Sequence, residues 1–364
     1  MNDAIDESIN FNDHGLCNHC QRYDQLYQTR VVSSERSSAE LSKLVVKIKK
    51  SNHGGRYDCV IGVSGGVDST YVAYLTKKLG LKPLAVHFDN GWNSELAVKN
   101  IENTLKILNI DLFTYVVDWE EFRDIQRSFL FASTPDGEIP TDHGIFAALW
   151  RVAVKYNIKY VITGMNFATE SMSIPHWSYG HSDYFYIKKI VQKFGGRSLK
   201  TFPSFSLWYL FYVTVLRRVR RVSILNYVDY NKDDALKIIE NELGWRPYGG
   251  KHHESIYTRF WQGVVLPEKF GIDKRYAHFS DLINSGQFTK SQAINEIKKP
   301  TYSLELQESD RQYVAKKLGF CNDDFENMLK LPVKNFIDYP NNFKVISLLK
   351  KIVDSLRSKN IYPK

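Results

Sequence analysis

Residues 59–69 read Cys59-Val60-Ile61-Gly62-Val63-Ser64-Gly65-Gly66-Val67-Asp68-Ser69. The first five form a short apolar run suited to a strand buried on both faces, and apolar spacing over 69–79 predicts a helix. Between them, adjacent glycines let the backbone approach an anion closely, with amide N–H groups turned into the bend. The following helix adds its positive N-terminal end, so phosphate or pyrophosphate is the natural ligand. Asp68 would repel that anion alone; it fits as the holder of a Mg²⁺ that bridges phosphate oxygens. Ser64 and Ser69 add hydroxyls. A Walker loop requires Lys-Ser or Lys-Thr after its last glycine, and neither is present. The same residues spell Gly62-x-Ser64-x-Gly66, so a hydrolase nucleophile elbow and a purely structural glycine turn stand as alternatives.

Outward from this turn, strand-like runs at 84–88, 112–117 and 160–163 alternate with helical runs at 96–108 and 145–156. Such alternation predicts an α/β fold with a doubly wound parallel sheet. Ligands of such sheets sit beyond the carboxyl ends of the strands, which directs attention to Val86, His87, Phe88 and Gly164. From about residue 231 helical periodicity dominates. The expected organisation is a small Cys-containing module over 1–35, a nucleotide-binding domain over 36–230 and a mainly helical domain over 231–364.

Composition sets bounds. The chain has 364 residues, 43% hydrophobic and 24% charged, which is an ordinary globular balance. Four cysteines are too few for a disulfide scaffold and point to a reducing, cytoplasmic compartment. The longest apolar-aromatic run, 202–216, is interrupted by Pro203, Ser204, Ser206 and Thr214 and falls short of the ~20 residues of a membrane span. A net charge of +9 favours anionic partners. Part of it is Arg217-Arg218-Val219-Arg220-Arg221, directly after that run. A solvated helix end, a partner-docking face and a foot on the inner face of the membrane all fit this stretch.

The Ser64–Ser69 segment resembles the SGGxDS loop of the N-type ATP pyrophosphatases, also called the PP-loop superfamily, whose fold is adenine nucleotide alpha hydrolase-like. Further stretches narrow the likeness: Gly15-Leu16-Cys17-Asn18-His19-Cys20, Pro140-Thr141-Asp142-His143, Thr163-Gly164-Met165-Asn166 with Glu170, Gly244-Trp245-Arg246, Tyr248-Gly249-Gly250-Lys251-His252-His253-Glu254-Ser255, and Lys269 to Arg275. These resemble the N-acetyl sugar amidotransferases of surface-polysaccharide and lipopolysaccharide (O-antigen) biosynthesis, over nearly the whole chain to about Pro300.

The resemblance implies ATP-dependent conversion of an acetamido group, on a sugar typically carried by a nucleotide, to an acetamidino group. The amide oxygen is adenylylated, pyrophosphate leaves, and ammonia displaces AMP. It implies ATP bound by Val63, Ser64, Gly65, Gly66, Val67, Asp68, Ser69, Val86, His87, Phe88 and Gly164, with Mg²⁺ on Asp68. His252, Glu254 and Lys274 join Asp68 as expected catalytic groups; His143, Asn166, Glu170, Lys251, His253 and Arg275 are expected at the sugar. Cys17 and Cys20 have zinc-knuckle spacing, with His14 and His19 nearby; family members usually carry another CxxC upstream, so Met1 aligns with an internal position of the family. No catalytic Cys–His pair fits a glutaminase. Ammonia is therefore expected from a separate subunit, and the resemblance implies a partner pair like the glutaminase and cyclase subunits of imidazole-glycerol-phosphate synthase. A tRNA-thiolating enzyme on the same loop, and a non-catalytic nucleotide-binding scaffold, are the competing readings, though nucleic acid is the less expected partner.

Overall fold

The computed structural model describes residues 5, 6, 8–172, 174 and 176–358. Five strands, β1 (Cys59–Gly62), β2 (Pro83–Asp89), β3 (Asp111–Val116), β4 (Tyr160–Thr163) and β5 (Arg220–Ser223), form one sheet in the order β3-β2-β1-β4-β5. Every pairing is parallel. The two-residue period of a strand explains why the fold is doubly wound. Cys59, Ile61, Ala85 and Ile162 belong to a core beneath the helix Val67–Lys78. Val60, Leu84, Val86 and Val161 belong to another beneath the helix Ile139–Lys155. The chain order reverses between β2 and β4 on either side of β1, which opens the ligand crevice at the carboxyl end of β1.

Two elements differ from the sequence expectation. The helix expected over 145–156 starts six residues earlier, at Ile139, with Pro140 in its first turn, where a missing N–H costs nothing. Arg220 and Arg221, read only as part of a basic surface stretch, lie in edge strand β5 against β4. Their charges conceal a strand because an edge strand tolerates charge on its open face.

A third, aromatic-rich core joins the helices Trp119–Ala132 and Tyr184–Phe194 to the C-terminal helices through Trp92, Phe122, Phe129, Phe260, Trp261 and Phe325. The helix Lys232–Leu243, beyond the boundary expected at 230, packs on Val67–Lys78. Residues 256–270 run as one helix with a π-turn at Trp261–Val265. Among the described residues no helix is long and apolar enough to cross a membrane.

At the N-terminus, Cys17 caps the helix Asn18–Arg30, its sulfur accepting from Cys20 N–H at 3.4 Å and lying 3.5 Å from the Cys20 sulfur. His19 turns to the buried Asp6, with Nε2 at 2.6 Å from its carboxylate. Among the described residues no three His, Cys, Asp or Glu side chains gather as metal ligands. Among the described residues, Cys17 and Cys20 thus lie together without the further ligands a structural zinc needs, and His19 is directed to Asp6 instead.

Candidate active site

The glycine turn lies between β1 and the helix Val67–Lys78, as the sequence requires. Gly65 has φ +82°, and a Cβ there would come 2.6 Å from the Ala97 carbonyl oxygen, so both dihedral and space demand glycine. Its own carbonyl accepts from Trp245 Nε1 at 2.8 Å. Ser69 Oγ donates to the Gly66 carbonyl (3.1 Å), and Ser64 Oγ accepts from Gly66 N–H (3.2 Å), which fixes both hydroxyls at the mouth of the turn. Ser64 Oγ sits 3.1 Å from Ser69 Oγ rather than against a histidine. His87, the nearby candidate, bonds the Val63 carbonyl through Nδ1 and Asn93 through Nε2. A nucleophile elbow is not built here.

The turn opens into a cavity of about 600 Å³. Val63, Ser64, Gly66, Val67, Asp68, Ser69, Val86, His87, Phe88 and Gly164 line it, with the apolar side chains Ile145, Phe146 and Leu149 opposite. A Cβ on Gly164 would stand 3.0 Å from Ser69 N, so the end of β4 can approach the helix start only as glycine. Of the residues expected at the nucleotide, Gly65 alone stays out of the cavity wall and serves the backbone.

Beside the turn two carboxylates face two ammonium groups. Tyr230 donates its hydroxyl to Asp68, and Lys251 pairs with Glu170 at 3.1 Å. Burial, reinforced by the Glu170 charge and offset by Lys232 and Lys251, holds the Asp68 carboxyl above its usual range. For Glu170 burial acts upward too, but Lys251 and His252 outweigh it and hold the group low. Burial would lower Lys251, yet Glu170 and Asp68 raise it; for Lys232 burial wins and the ammonium is weakened. Two hard carboxylates at a phosphate turn fit Mg²⁺, which takes one or two protein carboxylates and completes its shell with phosphate oxygens and water. Thr163 Oγ1 and Glu254 Oε2, both at this cavity, are buried without a hydrogen-bond partner among the described residues. Polar atoms left so are suited to a ligand. Burial works against the Glu254 charge, but His252 and Tyr248 hold its carboxyl low.

The third wall comes from the first turns of Ile139–Lys155 and from the C-terminal helices. Glu138 accepts from Lys274 Nζ at 2.8 Å and from Gln262 Nε2 at 3.0 and 2.9 Å. The Asp142 carboxyl hydrogen-bonds to no described residue and faces the cavity. Asp142 is exposed to the open cavity yet surrounded by protein on its other sides; that crowding, with Glu138 adding to it and Lys274 and His252 opposing, pushes it up to about 7.

Four expected site residues take other roles. His143 faces the core, stacked on Phe205 at 4.1 Å between ring centroids, with Nδ1 against the His181 carbonyl and Nε2 accepting from Phe205 N–H. Burial drives its pKa down to about 4, so the ring is neutral. Asn166 is buried and caps the short helix Phe167–Glu170, accepting from Thr169 N–H. His253 Nδ1 accepts from Gly250 N–H at 3.0 Å and shapes the 249–254 turn. Arg275 grips Asp273 and donates to the carbonyls of Glu296, Ile297, Lys299 and Pro300. Its charge is spent on a helix end, not on phosphate. Asp142, not expected at the site, is a cavity group. Sequence reasoning missed it together with Glu138, Lys232, Tyr230 and Gln262. One signal was available: in a helix begun at 139, positions 138, 141, 142, 145 and 149 share a face, and 143 points away from it.

Known proteins resemble separate parts of the chain. Residues 40–172 match the family model of NAD synthase. Residues 254–353 match the LPS biosynthesis protein WbpG-like, C-terminal domain. An uncharacterized protein of Methanocaldococcus jannaschii, MJ1599, is 25% identical over 288 residues, 76% of this chain and 85% of that one. A tRNA-specific 2-thiouridylase, MnmA 2 of Fusobacterium nucleatum, is 33% identical over 113 residues, 29% of this chain and 32% of its own. Among solved structures, an NMN synthetase from Francisella tularensis aligns over 83% of this chain and 98% of that one, at 16% identity and a TM-score of 0.36. An NH3-dependent NAD synthetase from Campylobacter jejuni aligns over 58% and 84%, at 15% identity and 0.31.

Proposed function

We propose that this chain, an ATP-using PP-loop enzyme whose NAD-synthase-type domain is joined to a WbpG-like domain of LPS biosynthesis, converts the acetamido group of a nucleotide-linked N-acetyl sugar to an acetamidino group. The observation that carries the reading is the shape of one cavity. A phosphate turn at one end continues into a wall of Glu138, Asp142, Gln262, Lys274 and His252, of which Gln262 and Lys274 come from the region of the WbpG-like match.

An amide carbonyl is a poor electrophile and its oxygen a poor leaving group. Attack of that oxygen on the α-phosphorus of ATP forms the O–P bond and breaks the bond to pyrophosphate. The turn amides and the Lys232 and Lys251 ammonium groups, which line the same cavity, would meet the charge that develops on the departing pyrophosphate. Asp68 with Glu170 would hold Mg²⁺, which when bound neutralises phosphate charge. Ammonia then adds to the imidate carbon, loses a proton, and AMP departs with the former amide oxygen. Asp142, with a pKa near neutrality and a carboxyl free of partners, accepts that proton. Lys274 and Gln262 fix Glu138 beside it, so the sugar meets an ordered polar wall.

None of the four cysteines lines the cavity, which favours a nitrogen over a sulfur nucleophile. Ammonia is supplied, in this reading, by separate glutaminase- and cyclase-like subunits. The test mixes the protein with Mg-ATP, ammonium and a panel of nucleotide-linked N-acetyl sugars. AMP formed with one sugar only, with a product about 1 Da lighter and newly basic, supports the assignment. AMP formed instead with tRNA and a sulfur donor overturns it. No AMP in either assay, even with an ammonia-supplying subunit added, leaves the scaffold reading.

A further inference from the structure

The helix Leu207–Phe211 continues through a π-turn, Tyr212–Leu216, into edge strand β5. Along this segment Trp208 is 81% exposed, Phe211 48%, Val215 52% and Leu216 64%. Their spacing places them along one side of the segment. The segment ends in cations. Lys159 Nζ donates to the Arg217 carbonyl at 3.1 Å, and Arg217 to Asn157 Oδ1 at 3.1 Å, just before β4 begins. Arg218, in the left-handed region with φ 55°, and Arg220 are both exposed. No described carboxylate forms a salt bridge with Lys159, Arg217, Arg218 or Arg220. Arg217 Nε is buried without an acceptor among the described residues. Burial and the charges of Arg217 and Arg218 together depress the Lys159 ammonium.

We infer that this face docks the protein on an anionic phospholipid bilayer, with Trp208, Phe211, Val215 and Leu216 entering the interface and Lys159, Arg217, Arg218 and Arg220 on lipid phosphates. Charge complementarity selects the occupant. A cluster of like charges with no salt-bridge partner among the described residues calls for anions, and the adjoining apolar side chains call for a ligand that is apolar behind its phosphate. A bilayer offers both, as interfacial segments with aromatic and basic sides exploit. A free phosphate would leave the apolar side chains in water. The cluster lies at the amino ends of β4 and β5, opposite the carboxyl-end crevice, so docking leaves the cavity open to a water-soluble nucleotide sugar. The inference does not rest on the identity of that sugar.

The test is sedimentation of the full chain with vesicles of phosphatidylcholine alone and of phosphatidylcholine with one third phosphatidylglycerol. Binding to the anionic vesicles only is expected, weakening by roughly five-fold for each of Arg218→Gln and Arg220→Gln. Trp208→Ser with Leu216→Ser should abolish it while the melting temperature stays unchanged, since both side chains point to solvent. Equal binding to both vesicles, or to neither, overturns the proposal. So does displacement by inorganic phosphate with Trp208→Ser binding as well as the parent.

Discussion

Replacing Gly65 by Ala tests the phosphate turn most sharply. The left-handed conformation costs an alanine about 1–2 kcal/mol. Space adds to this, because the new Cβ would lie 2.6 Å from the Ala97 carbonyl oxygen, a backbone atom that no rotamer change can remove. Either the turn or the helix Glu95–Leu108 must yield by most of an ångström. Gly244, at φ +60° with nothing within 4 Å of its would-be Cβ, supplies the control. Gly244→Ala should cost about 1 kcal/mol and leave turnover intact. Gly65→Ala should cost about 3 kcal/mol and lower kcat/KM for ATP by about 100-fold, the penalty of a misplaced reacting group. Urea unfolding read beside pyrophosphate release measures both. Equal stability losses in the two variants, with ATP turnover unchanged in Gly65→Ala, would refute the claim that the turn is held against Ala97 for catalysis.

Further outcomes follow from the cavity and its surroundings. With Asp142 deprotonated as the working form, kcat should rise with pH through about 7; Asp142→Asn should flatten that limb and slow amidine formation more than 100-fold, as pH–rate profiles under saturating ammonium will read. Asp68→Asn should remove AMP formation at all Mg²⁺ concentrations while the circular dichroism spectrum is kept. Arg275→Ala should cost about 2 kcal/mol of stability without changing KM for ATP or sugar, since its donors serve Asp273 and backbone carbonyls. Burial lowers the pKa of His143 to about 4 and that of His253 also to about 4. The unfolded chain thus binds protons that the folded chain refuses. Stability should be complete above about 6.5 and fall as the pH drops towards 4; fully buried His143 alone should cost on the order of 2 kcal/mol by pH 5. Urea midpoints across that range check it, and a Leu at position 143 should remove its share of the slope.

The phosphate turn was legible because its information is local: a buried strand, two glycines and a helix must succeed one another within 59–79. The doubly wound sheet followed from the alternation of short apolar runs with helices. Edge strand β5 escaped because Arg220 and Arg221 mask its period, and an edge strand needs only one inward face, here that of Val222. His143 was expected at the site and Asp142 was not, because a helix taken to begin at 145 rather than 139 gives no facing to either; the observed start turns Asp142 to the cavity and His143 to the core. Lys232 and Tyr230 reach Asp68 across more than 160 positions of sequence; no spacing rule marks such a pair. Arg275 and His253 have the chemistry of ligand groups, and only their partners reveal that backbone carbonyls and a turn amide consume it.

The account stands or falls on where the acetamido oxygen goes. A nucleotide-linked N-acetyl sugar labelled with ¹⁸O at that oxygen, turned over with Mg-ATP and ammonium, should deliver the label to the phosphate of AMP and leave an unlabelled acetamidino product. Label retained by the sugar, or released to water while AMP stays unlabelled, would contradict amide activation by adenylylation.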